Sequence, residues 1–118
     1  MKNKMLHVRM GFALNGLKLA FLSEKSVRFQ TIVAISVIAL LGVLQPSLIW
    51  WAIILIMIAL VLFAELLNTA IEGLCDFVEP EHNEAIGKIK DVAAGAVFVL
   101  SVCSVFVGVI FLLDYLSR

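Results

Sequence analysis

Charged side chains are scarce in this 118-residue sequence. Lys, Arg, Asp and Glu together make up 15% of the residues, whereas hydrophobic residues make up 63%. An ordinary soluble domain has about 25% charged and about 45–50% apolar residues. A soluble chain of this length has too little interior to bury so much apolar surface. The composition therefore predicts one small domain that folds in lipid.

Features that mark several other protein classes are also missing. The formal net charge is zero, which gives no support for nucleic-acid binding. The two cysteines, Cys75 and Cys103, form no CxxC pair, so we expect free thiols rather than a disulfide framework or a zinc site. There is no Walker A loop and no kinase glycine-rich loop. Any nucleotide must therefore be held by side chains dispersed along the chain.

Three long apolar runs predict three membrane-spanning helices in a single domain covering residues 1–118. The uncharged stretches Leu48–Ala64 and Val92–Leu113 approach or exceed the ~20 residues that a crossing needs. Trp50 and Trp51 follow the first turn and suit an aromatic belt at the membrane interface. The predicted spans are residues ~27–44, ~48–74 and ~88–113.

The segment before the first span, residues ~6–22, has the pattern of an amphipathic helix. One stripe carries His7, Asn15 and Lys18, and a separate sector is apolar. This pattern predicts a helix that lies in the membrane interface with its basic side toward water or headgroups. Packing of the same helix against the protein's own spans is an alternative compatible with it. Ser23 or Ser26 is expected to cap the helix that follows.

The basic residues predict the orientation of the chain. Six of the nine Lys and Arg residues precede the first span or lie at its start, and two lie between spans two and three. By the positive-inside rule, the N-terminus and the second loop are cytoplasmic and the C-terminus is outside. Every acidic residue except Asp114 then also lies on the cytoplasmic side, where ATP is available.

The most unusual feature is a polar stripe at the end of the second apolar run. At about 100° per residue its members share one ~100° face and extend along about 16 Å of helix. Ionisable groups at membrane depth are costly unless pairing or function retains them. One interpretation is a polar seam where helices associate, in which Lys or Arg side chains pair with the acids. The other is an oxygen-rich site for a hard cation. The stripe consists of Glu65, Asn68, Thr69, Glu72 and Asp76.

The second interpretation suits phosphoryl transfer. Mg²⁺ is usually bound by one or two carboxylates together with substrate phosphates, and Lys90 supplies a nearby positive charge. Glu65 is the deepest acid and suits a base that removes a proton from a lipid hydroxyl. Glu72 and Asp76 lie nearer the cytoplasm, where a metal and a nucleotide would bind. A proton-coupled transporter is less favoured because the acids cluster at one end of the span, and a non-catalytic membrane subunit is a third possibility.

The same residues resemble the signature of a known family. The run ELLNTAIE from Glu65, then Asp76, then KDVAAGAV from Lys90 resembles the motif of the prokaryotic diacylglycerol kinase family, and GLKLAF from Gly16 with Glu24 resembles its surface helix and turn. The resemblance implies an all-α homotrimer of three-span subunits with an amphipathic surface helix and active sites shared between subunits. It also implies Mg²⁺, ATP as phosphoryl donor, a lipid alcohol as acceptor and the inner membrane of a bacterium.

Carried over by position, the resemblance also implies site residues. Glu65 is the catalytic base, and Glu24 and Glu72 bind the metal. The implied lipid-substrate contacts are Glu65, Asn68, Gly16 and Lys18. The implied nucleotide contacts are Glu24, Glu72, Asp76, Glu81, His82, Asn83, Lys90, Asp91 and a basic residue near the N-terminus, for which Arg9 and Lys4 are both candidates.

Two points depart from the family or stay open. The family usually has Tyr-His in the acidic loop, whereas this chain has His82-Asn83, so the histidine comes one place early. Members of the family phosphorylate either diacylglycerol or undecaprenol. We expect diacylglycerol, with phosphatidic acid as the product, and keep undecaprenol as the alternative acceptor.

Overall fold

Four α-helices make up nearly all of the described chain. The structure, a computed structural model, describes residues 5–118, so Lys4 lies outside the described residues. The helices are α1 (Leu6–Ser23), α2 (Lys25–Leu44), α3 (Leu48–Val78) and α4 (Glu84–Leu116). Two short connections define the ends of the bundle. We call residues 45–47 the turn end and residues 79–83 the loop end.

Three of these helices, α2, α3 and α4, are long and apolar enough to cross a membrane. At about 1.5 Å per residue, the 31 residues of α3 extend about 46 Å. A bilayer's hydrocarbon core is only about 30 Å thick. About 16 Å of α3 is therefore available for the polar stripe toward the loop end.

Local sequence determines where the helices begin and end. Gln45 terminates α2 in the left-handed conformation with φ 50°, and its Nε2 donates to the Gly42 carbonyl at 2.6 Å. Pro46 follows and prevents the helix from continuing. At the loop end, the Asn83 Oδ1 accepts hydrogen bonds from the backbone N–H groups of Ala85 and Ile86 at 2.9 and 3.2 Å. Asn83 is thus the N-cap of α4.

The junction between α1 and α2 differs from the prediction. Glu24, not Ser23 or Ser26, occupies the cap position, and its side chain makes no capping bond. Ser23 instead donates to the Leu19 carbonyl within α1 at 2.7 Å. The Arg28 guanidinium reaches back from α2 to the carbonyls of Phe21 and Leu22, at 3.0 and 2.9 Å. Arg28 therefore satisfies the free carbonyls at the end of α1, which has no basic residue of its own in its last turn.

The best-packed part of the bundle lies toward the turn end. Leu41, Ile54 and Phe111 come from α2, α3 and α4 and form one buried cluster. Trp50 packs edge-to-face on Phe111 and donates its indole N–H to Asp114 Oδ2 at 2.8 Å. Most other large apolar side chains in residues 5–118 are exposed on the single chain. That surface fits lipid, or further protein, as the surrounding medium.

Replacing Phe111 tests the packing of this cluster. Phe111 is 3% exposed, whereas Phe106 on the same helix is 63% exposed. We expect Phe111→Ala to lower the free energy of unfolding by about 3 kcal/mol, because it leaves a cavity. Phe106→Ala should cost less than about 0.5 kcal/mol. Unfolding in mixed micelles by added dodecyl sulfate measures both, and equal losses would contradict the assignment of the cluster as the core.

Candidate active site

Glu65 lies on α3 where the helix is covered by its neighbours. It is 4% exposed, and among residues 5–118 it is the one buried charged side chain. Thr69 donates its hydroxyl to the Glu65 backbone carbonyl at 2.9 Å, a bond within the helix. In the described chain no Lys or Arg pairs with the Glu65 carboxylate. Within residues 5–118, a polar seam with a Lys or Arg partner to Glu65 is therefore not formed by the helices of one chain.

The next two polar residues of the stripe are joined to each other. Asn68 Nδ2 donates to Glu72 Oε1 at 2.5 Å, across one turn of α3. This bond holds the Glu72 carboxylate in place, while its second oxygen remains available to another ligand. Asn68 Oδ1 is buried and has no hydrogen-bond partner within residues 5–118. A buried acceptor without a partner is unusual and favours a role in binding over one in folding.

At the loop end, α3 and α4 are connected by an ion pair. Lys90 Nζ lies 2.6 Å from Asp76 Oδ1. The Lys90 side chain is 36% exposed and that of Asp76 is 67% exposed. Pairs this exposed contribute little to stability. The following residue, Asp91, is exposed.

The same ion pair forms one wall of a cavity of about 230 Å³, which we call the loop cavity. Its lining consists of Asp76, Ile86, Gly87, Lys90 and the loop residues Glu79–Asn83. Glu81 and His82 are exposed there. Asn83 uses its carbonyl oxygen to cap α4, so only its amide nitrogen is free for another partner. The acids of the lining are Asp76, Glu79 and Glu81, and Lys90 is its one lysine or arginine.

The site residues predicted on α1 lie on the other side of α3. Gly16 lines a groove of about 370 Å³ between α1 and α3, together with Leu66 and Thr69. Lys18 and Arg9 are exposed on α1. The Arg28 bonds described above fasten the α1–α2 junction that carries Glu24. The described residues thus place α1 beside the Glu65 end of the stripe.

The predicted metal ligands do not form a cluster within the described chain. Within residues 5–118, no three His, Cys, Asp or Glu side chains come close enough together to hold a metal ion. The chemistry of the predicted donors Glu24 and Glu72 still fits Mg²⁺, which prefers oxygen and commonly takes its other ligands from phosphates and water. The Asn68 bond also orients Glu72 for such a role.

The fold and the site define a class of protein. This helical membrane protein has carboxylates, an amide and a lysine at one end of its spans. Such groups suit a reaction between a water-soluble reactant and one embedded in the membrane. Comparison with known proteins gives the family. Residues 11–112 match the model of "Prokaryotic diacylglycerol kinase". The chain belongs to this family, and it is a lipid kinase that uses ATP as phosphoryl donor.

Individual relatives support the assignment. An undecaprenol kinase of Bacillus subtilis is 35% identical over 94 residues, which cover 80% of this chain and 76% of the relative. A diacylglycerol kinase of Synechocystis is 34% identical over 104 residues, 87% of this chain and 59% of that longer relative. The diacylglycerol kinase of Escherichia coli K12 is 26% identical over 102 residues, 86% of this chain and 84% of the relative.

Three contacts that shape this site were not among the predictions from the sequence. The Asp76–Lys90 pair bridges two helices, and helical periodicity carries no information on such a contact. The Arg28 contact with the end of α1 was also missed, although a basic residue one turn past a helix end is a known capping signal. The cap at Asn83 could have been found, because Asn before an apolar run is a standard N-cap signal.

Proposed function

We propose that this protein transfers the γ-phosphate of ATP to the hydroxyl of diacylglycerol and so forms phosphatidic acid. The observation that carries the proposal is the buried carboxylate of Glu65 without a cationic partner, one turn from the Asn68–Glu72 pair. A base placed at that depth can reach a hydroxyl that stays in the membrane. The family and the names of its relatives support the acceptor class.

In the proposed reaction, Glu65 accepts the proton of the lipid hydroxyl as the hydroxyl oxygen attacks the γ-phosphorus. The bond from that phosphorus to the β-phosphate oxygen breaks, and ADP leaves with its electron pair. The products are phosphatidic acid, ADP and the proton, which Glu65 then releases. Asn68 contributes to positioning the lipid, and Gly16 and Lys18 on α1 are the other proposed lipid contacts.

We place the nucleotide at the loop end. Lys90, which pairs with Asp76, neutralises phosphate charge, and the other proposed contacts are Glu81, His82, Asn83, Asp91 and, on α1, Arg9. Glu24 and Glu72 hold Mg²⁺, which when bound neutralises charge on the phosphates. Glu72 is oriented for this role by Asn68, and Glu24 is placed by the α1–α2 junction that Arg28 fastens.

We further propose that the active unit is a homotrimer with α1 as an amphipathic surface helix, the N-terminus and the loop end cytoplasmic and the C-terminus outside. The large exposed apolar surface of one chain supports assembly within the membrane. The predominance of Lys and Arg before the first span supports the orientation.

The acceptor is tested by a direct competition. Purified protein in bicelles is given Mg-ATP with dioleoylglycerol and undecaprenol, separately and as an equimolar mixture, and the phosphorylated lipids are separated and quantified. We expect the kcat/KM for dioleoylglycerol to exceed that for undecaprenol at least tenfold.

The reverse ratio would make undecaprenol the acceptor, an alternative supported by the relative from Bacillus subtilis. Phosphorylation of neither lipid would contradict the proposed function. A lipid without a hydroxyl, such as dioleoyl phosphatidylcholine, serves as the control and should receive no phosphate.

A further inference from the structure

The Asp76 carboxylate has a partner that explains its position better than direct contact with a nucleotide. Its Oδ1 accepts the hydrogen bond from Lys90 Nζ at 2.6 Å. This bond is the ion pair that joins α3 to α4 within residues 5–118. A carboxylate accepts hydrogen bonds and cannot donate them, so its direct contact with phosphate oxygens is repulsive.

The exposure of the pair argues against a purely stabilising role. Both side chains are too exposed for the pair to contribute much to the fold. In addition, the buried cluster of Leu41, Ile54 and Phe111 lies near the turn end, far along α3 and α4 from this pair. The pair lies instead on the wall of the loop cavity, where both of its members face the space available to a ligand.

The effect of the pair on Lys90 is to restrict a flexible side chain. A lysine has four rotatable bonds in its stem, and holding its ammonium at one point before a ligand arrives removes most of that freedom. Such preorganisation increases affinity because less freedom is lost on binding. The other acids of the cavity, Glu79 and Glu81, do not take this role. Glu79 Oε1 accepts from the Glu81 backbone N–H at 3.3 Å.

We propose that Asp76 is a positioning residue that holds the Lys90 ammonium at the loop cavity for the phosphates of the nucleotide. The inference rests on the proposed function in placing the nucleotide at the loop end. Lys90 has further donor hydrogens besides the one given to Asp76, so it contacts both at once. Asp76 therefore acts through Lys90 and not as a nucleotide ligand.

A double-mutant cycle tests this dependence. The affinity for the fluorescent analogue TNP-ATP, which is measured without turnover, is determined for the full-length protein in micelles and for its Asp76→Ala, Lys90→Gln and doubly substituted forms. We expect Asp76→Ala to weaken binding about tenfold in the wild-type background and less than twofold in the Lys90→Gln background. Asp76→Asn should weaken binding only about threefold, since the amide oxygen still accepts a bond. Glu79→Gln, an acid lining the same cavity, is the matched control and should change affinity less than twofold.

Among the steady-state constants, the KM for ATP should change and the KM for the lipid should not. Asp76→Ala raises the KM for ATP about tenfold and leaves the KM for dioctanoylglycerol within twofold. If Asp76→Ala weakens TNP-ATP binding equally in both backgrounds, Asp76 acts independently of Lys90 and the proposal is overturned. An unchanged TNP-ATP affinity in Asp76→Ala would also overturn it. If the wild type instead binds TNP-ATP and shows the expected coupling between Asp76 and Lys90, yet phosphorylates no lipid, that result would contradict the proposed function and leave this inference standing.

A second measurement needs no nucleotide and covers the case in which Lys90→Gln binds too weakly to measure. Acetylation of Lys90 by acetic anhydride is quantified by mass spectrometry relative to Lys88, whose side chain is 75% exposed. We expect Asp76→Ala to raise the Lys90 to Lys88 labelling ratio at least threefold, because the ammonium is released. An unchanged ratio would overturn the proposal.

Discussion

Glu65→Gln should abolish lipid phosphorylation while leaving the fold intact. The substitution keeps the size of the side chain and removes its ability to take a proton. We expect kcat to fall by about 10²–10⁴-fold, the usual contribution of a positioned general base. The KM for ATP should stay within about twofold, because Glu65 lies at the end of the apolar run of α3, away from the loop end where we place the nucleotide. Initial rates of lipid phosphate formation give both constants.

The matched control is Glu84→Gln, an identical chemical change at a side chain that is 87% exposed. Glu84 lies at the first turn of α4 and has no assigned role in the reaction, so its replacement should leave kcat within about twofold. Helical content and elution volume establish that both variants fold and assemble alike. If Glu65→Gln retains more than a tenth of the wild-type kcat, Glu65 is not the base.

Lys90→Met should produce the second large effect. Removing the ammonium takes away a positive charge that meets the phosphates, and loss of one such charge-stabilising donor typically lowers the rate about 10²–10³-fold. We expect kcat/KM for ATP to fall by that amount, with the KM for the lipid little changed. Rates measured over a range of ATP concentrations, at saturating lipid, resolve the two constants.

Lys88→Met provides the control for Lys90→Met. Lys88 lies two residues earlier on α4 and makes only a 3.8 Å contact with Glu84. Its removal alters the net charge identically and should change kcat/KM for ATP less than about threefold. Equal losses in the two variants would mean that general charge at the loop end, and not the placement of Lys90, governs nucleotide use.

The helices and their apolar character were predictable because they follow from local pattern. Charge is absent from Leu48 to Ala64 and from Val92 to Leu113, so the second and third long helices could be placed from the sequence. The end of α3 at Val78 is also local in origin. Pro80 disfavours helical conformation at the residue before it, and nothing earlier interrupts the helix.

The order of the acidic residues along α3 was predictable, because it follows from position along one helix. That Glu65 is the deepest acid in the membrane stays a prediction; within the protein it is the one charged side chain buried among residues 5–118. Its role as base remains a prediction. The same holds for Glu72 as a metal ligand, although its bond to Asn68 follows directly from their spacing of four residues.

Contacts between helices could not be predicted in this way. Asp76 and Lys90 are 14 residues apart, and their pairing depends on how the loop end turns α4 against α3. The position of Glu24 likewise depends on the angle between α1 and α2, which Arg28 helps to set. A periodic sequence pattern encodes neither the packing of α4 against α3 nor the angle between α1 and α2. The expectation that Glu24 and Glu72 act together came from the resemblance to a family, and it stays a prediction.

The central claim is that one end of α3 transfers phosphate from ATP to a membrane alcohol. Its most direct test follows the γ-phosphate itself. Purified protein is mixed with γ-³²P-ATP, Mg²⁺ and dioleoylglycerol in bicelles, and label is measured in the lipid extract and as inorganic phosphate. We expect label in phosphatidic acid equal to the ADP formed, with little inorganic phosphate, and transfer at least about 100-fold slower with Glu65→Gln. Label that appears only as inorganic phosphate, or that enters the lipid equally well with Glu65→Gln, would contradict this claim.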